Sequence, residues 1–407
     1  MNDYISLYNL YYQNREEYEE KYLSRYQSES SIHYDFLIGK NPAFMFLHPN
    51  HYALVVEIEK LDKDLFALSN LLPDIAKDHF IKNTLITEIQ NTNDIEGVIS
   101  TRKEISEILA QMELRHGDRL FGMVNRYRFL MDKKKVPLST PNDIRTIYDE
   151  LVSQEIQESD PNDQLDGTLF RQKTVYLFRA SGKKLHEGVN PESEIIDMLS
   201  RAMTYLHELK LPALVRIALF HYLFGYIHPF YNGNGRVNRF ISSYLLSEEY
   251  TSIIAYRLSQ QIKQERKLYY EAFEKANSDK NKGDIGTFVM MFLSIVRDAF
   301  QSTLNELDER YSRLRHYSKK IDQSMFANSK IGNILYILVQ CSLFAEEGLK
   351  IEEIANYANQ SEVWTRGKIK DLMRFNYIQK SKQGYFYLYQ ANLSKLDEIS
   401  FSGSSNV

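Results

Sequence analysis

"HPFYNGNGRVNR", residues 228–239, decides how the rest of the chain is read. Pro229 stops the helix before it, because proline lacks an N–H and fixes φ. Gly233 and Gly235 permit left-handed backbone and close approach of a ligand. Beyond them Val237, Phe240, Ile241, Tyr244 and Leu245 keep the i, i+3, i+4, i+7, i+8 stripe of a core-facing helix. The loop therefore opens a helix whose exposed N–H groups form an anion site. Arg236 and Arg239 lie three apart in its first turn, where the helix dipole disfavours cations. Two guanidiniums in that place call for an anion, and a polyphosphate suits them.

Bulk composition narrows the alternatives. A formal charge of −4 over 407 residues argues against coating nucleic acid or an anionic membrane through the overall field. A single cysteine, Cys341, leaves no internal disulfide and too few thiolates for a zinc or iron–sulfur site. The N-terminal stretch lacks the pattern of a signal peptide, and no apolar run reaches the roughly 18 residues of a membrane span. A cytoplasmic protein with no membrane partner is expected.

Helical periodicity recurs along most of the chain, so a mainly α protein is expected. Residues 1 to 50 read as tyrosine-rich and irregular. Helices are expected over about 52–71 and 76–96, the second closing at Gly97, with another after Thr101 where Glu104 completes a capping box. The run 174–191 reads as a β-hairpin with a glycine turn. Helices at about 192–208, 212–226, 236–249, 263–279 and 284–310 complete a bundle. The last module, about 327–396, reads as three helices and a glycine-turned hairpin, the pattern of a winged helix. Its basic side chains only slightly outnumber its acidic ones, so a structural or protein-binding role stands beside DNA contact.

The eight residues His228, Pro229, Phe230, Gly233, Asn234, Gly235, Arg236 and Arg239 make the chain resemble the Fic family. That family's motif is His-Pro-Phe, a free residue, Asp or Glu, Gly-Asn-Gly-Arg, two free residues and Arg. The resemblance covers roughly 80 to 300 and implies a Fic-type helical bundle with a β-hairpin flap, here 174–191. It implies transfer of AMP from ATP to a Ser, Thr or Tyr hydroxyl of a target protein. His228 is then the general base, since an imidazole is poised to take a hydroxyl proton near neutrality. As an isolated residue it would read as structural. Gly233, Asn234 and Gly235 are expected to bind phosphate through their N–H groups and amide, while Arg236 and Arg239 neutralise the outer phosphates. Phe230 is expected to plug the loop. "KLYYEAFEKANSDKNKGD" resembles the family's nucleoside-holding stretch and points to Tyr270 and Asn277, although Tyr269 and Tyr270 alone read as core aromatics.

At position 232 the chain departs from the motif, with Asn in place of the acid that holds the nucleotide's metal. An amide oxygen still ligates a hard cation, but more weakly than a carboxylate, so Asn232 is expected to bind Mg²⁺ or Mn²⁺ loosely. Other donors used in the family, such as UTP or CDP-choline, remain an alternative, as does a DNA-binding regulator with a degenerate nucleotide-sensing site. "TNDIEG", Thr92 to Gly97, resembles the family's inhibitory motif. That resemblance implies that Glu96 pairs with Arg239 in the place of the γ-phosphate, and that removal of AMP is a second activity. It also allows a homodimer through the core. The expected organisation is an N-terminal helical region at 1–110 with the inhibitory helix at about 76–97, a catalytic core at 111–300 and a linker helix at 301–326. The winged helix at 327–396 and a flexible tail at 397–407 follow.

Overall fold

The computed structural model describes residues 4–160, 163–178, 182, 184–208, 210–383 and 386–398. Helices dominate. The chain opens with α1 (Leu7–Gln13), α2 (Arg15–Tyr26) and an antiparallel pair, β1 (Ser31–Ile38) with β2 (Asn41–Phe46). Then come α3 (Pro49–Asn70), α4 (Asp74–Ile95), α5 (Arg102–Ala110), α6 (Phe121–Met131), α7 (Pro141–Tyr148) and α8 (Gln154–Ser159). The flap is β3 (Tyr176–Phe178) paired with β4 (Lys184–Glu187). After it run α9 (Glu192–His207), α10 (Ala213–Ile227), α11 (Asn234–Glu249), α12 (Leu258–Gln264), α13 (Arg266–Ala276) and α14 (Gly286–Asp322). The C-terminal part holds α15 (Lys330–Phe344), α16 (Ile351–Tyr357), α17 (Glu362–Arg374), the hairpin β5 (Ile378–Gln383) with β6 (Phe386–Ala391), and α18 (Leu393–Asp397).

Two compact units divide the chain: residues 1–63 with 85–301, and residues 64–84 with 302–407. The boundaries fall inside α3, α4 and α14. In the first unit α10 is apolar on nearly every face and buried along its length, including Leu219, Phe220, Leu223 and Phe224. A helix of that kind can only be a core element. Its neighbour α11 buries Val237, Phe240 and Ile241, the stripe read from the sequence. In the second unit α15 supplies a core of Ile334, Leu335, Leu338 and Phe344, and Phe80 of α4 packs edge-on against Phe344.

Several expectations change in detail. The supposedly irregular start contains the β1–β2 pair, whose register shifts between His33 and Leu37. The expected helix 263–279 is broken between α12 and α13. The 284–310 helix and the linker helix are one element, α14. The flap's tip at 179–181 and 183, and the tail from 399, lie outside the described residues. No described helix is long and apolar enough to cross a membrane.

Candidate active site

The motif loop joins the end of α10 to the start of α11. His228 ends α10 in the left-handed region, at φ 53°, and Gly233 caps α11 at φ 81°. Histidine reaches that conformation more readily than most non-glycine residues, yet it must be held there. Phe230 anchors the loop from below: it is fully buried and stacks on Tyr148 with ring centres 4.0 Å apart. Asn234 closes it from within. Its Oδ1 accepts the Phe230 N–H at 2.9 Å and its Nδ2 donates to the Phe230 carbonyl at 2.8 Å. The amide expected to face phosphate is thus committed to shaping the loop.

Arg171, which nothing in its own stretch of sequence singles out, fixes His228 from the other side. Its guanidinium is fully buried and donates to four carbonyls: His228 at 2.9 Å, Lys173 at 2.7 Å, Val189 at 2.8 Å and Ile227 at 3.4 Å. Those bonds tie the C-terminal end of α10 to the segment leaving the flap, where the Val189 N–H also donates to the Ile227 carbonyl. Gly188 is required here, since a Cβ would lie 2.4 Å from an Arg171 nitrogen. Burial, His186 and Arg171 lower the His228 pKa to about 4, against a hydrogen bond to the Gly225 carbonyl that pulls upward. The imidazole is neutral at physiological pH.

The flap is also fastened near the expected nucleoside side. His186 on β4 donates through Nε2 to the Tyr226 carbonyl at 2.6 Å, which leaves Nδ1 to accept from Asn277 Nδ2 at 3.3 Å. Asn277 in turn accepts the Tyr222 hydroxyl at 2.9 Å. Tyr270 is 44% exposed and close enough to Glu96 and Arg239 to feel their charges. Tyr269, by contrast, is a core residue: its hydroxyl meets His221 Nε2 at 2.7 Å, and His221 Nδ1 meets Ser242 Oγ at the same distance.

The two arginines behave differently. Arg236 forms a buried ion pair with Glu155 of α8, and its Nε is buried without a partner among the described residues. Arg239 is taken over by the end of α4. Its Nε donates to Thr92 Oγ1 at 2.8 Å, and its Nη2 to the Thr92 carbonyl at 3.0 Å and to Glu96 Oε1 at 2.8 Å. Glu96 lies so close over the loop that a Cβ on Gly235 would sit 2.1 Å from its Oε1. Gly235 is therefore needed for close approach and not for a positive φ. Burial pushes the Glu96 carboxyl upward, but Arg239, with Arg236 and His228 behind it, outweighs that and holds it below the ordinary carboxylate range.

Helix α4 is well secured in this position. Gly97 ends it at φ 75°, as its sequence position suggests. Lys263 bonds Asn91 and Asp94, and Arg266 donates to the Ile95 carbonyl at 2.9 Å, so cations sit at the negative end of the helix. Glu88, fully buried one face along, accepts the Ser259 N–H at 2.9 Å at the start of α12.

Position 232 holds an arrangement that the sequence does not reveal. Asn232 accepts the Gly233 N–H at 2.7 Å through Oδ1 and donates through Nδ2 to Asp163 Oδ2 at 3.1 Å. An amide beside a carboxylate is a hard-oxygen donor set that fits a small divalent cation. Among the described residues no group of three or more His, Cys, Asp or Glu side chains is placed to hold a metal by itself.

Residues 137–246 match the Fic/DOC family, so the chain carries a Fic domain. It is 27% identical over 202 residues to Protein adenylyltransferase Fic of Drosophila sechellia, covering 49% of this chain and 34% of that protein. The same-named protein of Drosophila ananassae is 29% identical over 163 residues, 40% of this chain and 29% of the relative. The chain thus matches about a third of the length of these curated relatives. A crystal structure of a Fic family protein from Desulfovibrio desulfuricans G20 superposes with a TM-score of 0.51 at 18% identity, covering 85% of this chain and 96% of that one, which establishes likeness of fold.

Proposed function

We propose that the chain is a protein adenylyltransferase that moves AMP from ATP to a Ser, Thr or Tyr hydroxyl of a target protein or of itself, and that Glu96 restrains it. In the reaction the acceptor oxygen bonds to the α-phosphorus while the bond from that phosphorus to pyrophosphate breaks. The hydroxyl proton passes to His228, whose neutral ring offers a lone pair. Its basicity is low in the empty site, and the incoming polyphosphate raises it by favouring the charged imidazolium. Gly233 and Gly235 let phosphate approach the start of α11, and Tyr270 and Asn277 flank the nucleoside. Asn232 would hold Mg²⁺ or Mn²⁺, which neutralises phosphate charge when bound.

The observation carrying this reading is the Arg239–Glu96 ion pair over Gly235. A carboxylate that engages the second motif arginine occupies the position a terminal phosphate needs, so ATP binds out of line until Glu96 leaves. Intact-mass spectrometry after incubation with ATP and Mg²⁺ or Mn²⁺ tests it. Glu96→Gly should gain the mass of AMP, wild type far less, and the double variant with His228→Asn none. Equal labelling of Glu96→Gly and wild type under saturating ATP would overturn the restraint, and labelling of the double variant would remove His228 as the base.

A further inference from the structure

The amide at position 232 leaves the phosphate site without its motif carboxylate, yet a carboxylate is present. Asp163 lies in the segment after α8, and its backbone N–H is held by the Asp160 carbonyl at 3.1 Å. Its side chain reaches back across 69 residues of sequence to Asn232. The strand of chain that follows is pinned to the same loop: the Tyr231 hydroxyl donates to Asp166 at 2.7 Å and accepts the Lys173 N–H at 3.0 Å. Asp163 thus directly precedes chain that is bonded to the motif loop.

We infer that Asp163 supplies the metal-binding carboxylate that position 232 lacks, and that Asn232 turns its amide to share the cation. Two oxygens on adjacent corners of an octahedral site with bonds of about 2.1 Å are about 3 Å apart. Asn232 Nδ2 and Asp163 Oδ2 are 3.1 Å apart. Exchanging the two ends of the amide puts Oδ1 where Nδ2 stands, and the pair then spans one edge of such a site. The same turn withdraws the acceptor from the Gly233 N–H, now bonded at 2.7 Å, and frees that donor for a phosphate oxygen. Cation and phosphate therefore favour one another through a single side chain. In the resting arrangement the Asn232–Asp163 bond stands in for the cation by placing a partial positive N–H against the carboxylate.

This inference rests on the nucleotide reading of the loop, and its test separates the two. Affinity for a non-hydrolysable ATP analogue is measured by calorimetry in the Glu96→Gly background, once with EDTA and once with Mn²⁺. The Mn²⁺ enhancement should fall by about tenfold or more in Asp163→Asn, the scale seen when a group supporting a metal is removed. Affinity in EDTA should stay nearly unchanged. Asn232→Asp should raise the enhancement, and adding Asp163→Asn to it should restore binding close to that of the Asn232 chain, which shows that Asp163→Asn still folds. An undiminished Mn²⁺ enhancement in Asp163→Asn overturns the inference and leaves the nucleotide site standing. No binding of the analogue in any variant or condition overturns the site itself, and the inference with it.

Discussion

At the scale of single residues, His228 combines a left-handed backbone with a depressed pKa, and Arg171 contributes to both. Its guanidinium bonds the His228 carbonyl and is one of the causes lowering the imidazole. A base with a pKa of about 4 is already deprotonated at neutrality, so its activity is lost only as pH falls through that value. In the Glu96→Gly variant, the pH profile of kcat/KM should stay flat from neutrality down to about pH 5, instead of bending near the ordinary histidine value of about 6.5. Adding Arg171→Met should move the acid limb upward and lower kcat, while Arg171→Lys, which keeps the charge, should leave the limb nearer its place. The cost in stability is also predictable. Four carbonyls lose their donor at once, and each buried group left unpaired costs about 1–3 kcal/mol. The inactive control is best made as His228→Asn, because asparagine tolerates positive φ where alanine does not.

Among the elements, α4 is the one whose docking decides whether Glu96 meets Arg239. Glu88 anchors it with both carboxylate oxygens at the Ser259 N–H, and burial raises its pKa to about 7. A raised carboxyl binds a proton in the folded chain that the unfolded chain releases above about 4.5. Its contribution is therefore complete below that pH and lost as pH rises through about 7, by about 3 kcal/mol. His228 and His221 slope the other way, because their depressed values make protonation favour the unfolded chain. Comparing melting temperatures of wild type and Glu88→Gln at pH 5 and pH 8 cancels the histidines. The variant should gain on wild type as pH rises, and a constant difference would show that Glu88 does not titrate in this window.

What the sequence conveys about these elements follows from how local each signal is. Helices α4, α5, α10 and α11 carry their own stripes, caps and stops, and the motif residues of the site are consecutive, so both are readable in a single stretch. The β1–β2 pair is not, because the register shift between His33 and Leu37 breaks the alternation that marks a strand. Nor is the break before α13, where no glycine or proline interrupts the helical pattern. Arg171, Glu155 and Asp163 reach their partners across 57, 81 and 69 residues of sequence. Nothing local distinguishes them from ordinary surface charges. Arg236 shows the converse: its motif position points to phosphate, while its observed partner is the buried Glu155.

For the whole molecule, the division of α4 matters most. Residues 74–84 belong with 302–407, while Thr92, one turn before the end of α4, and Glu96, just past it, belong with the unit that carries the motif loop. Phe80 is fully buried and meets Phe344 with ring centres 6.3 Å apart, and His79 lies against Tyr357 at 6.1 Å. Truncation after residue 326 uncovers those side chains, and removing the cover from a buried phenylalanine costs about 1.5–3 kcal/mol. The truncated wild-type chain should melt earlier than the full chain and label itself faster with ATP. Unchanged labelling would mean that the first turns of α4 do not support its last. The consequence reaches into practice: a laboratory that trims the C-terminal fifth to obtain a tidier fragment also strips the cover from the first turns of α4, and the rate it measures belongs to a different machine.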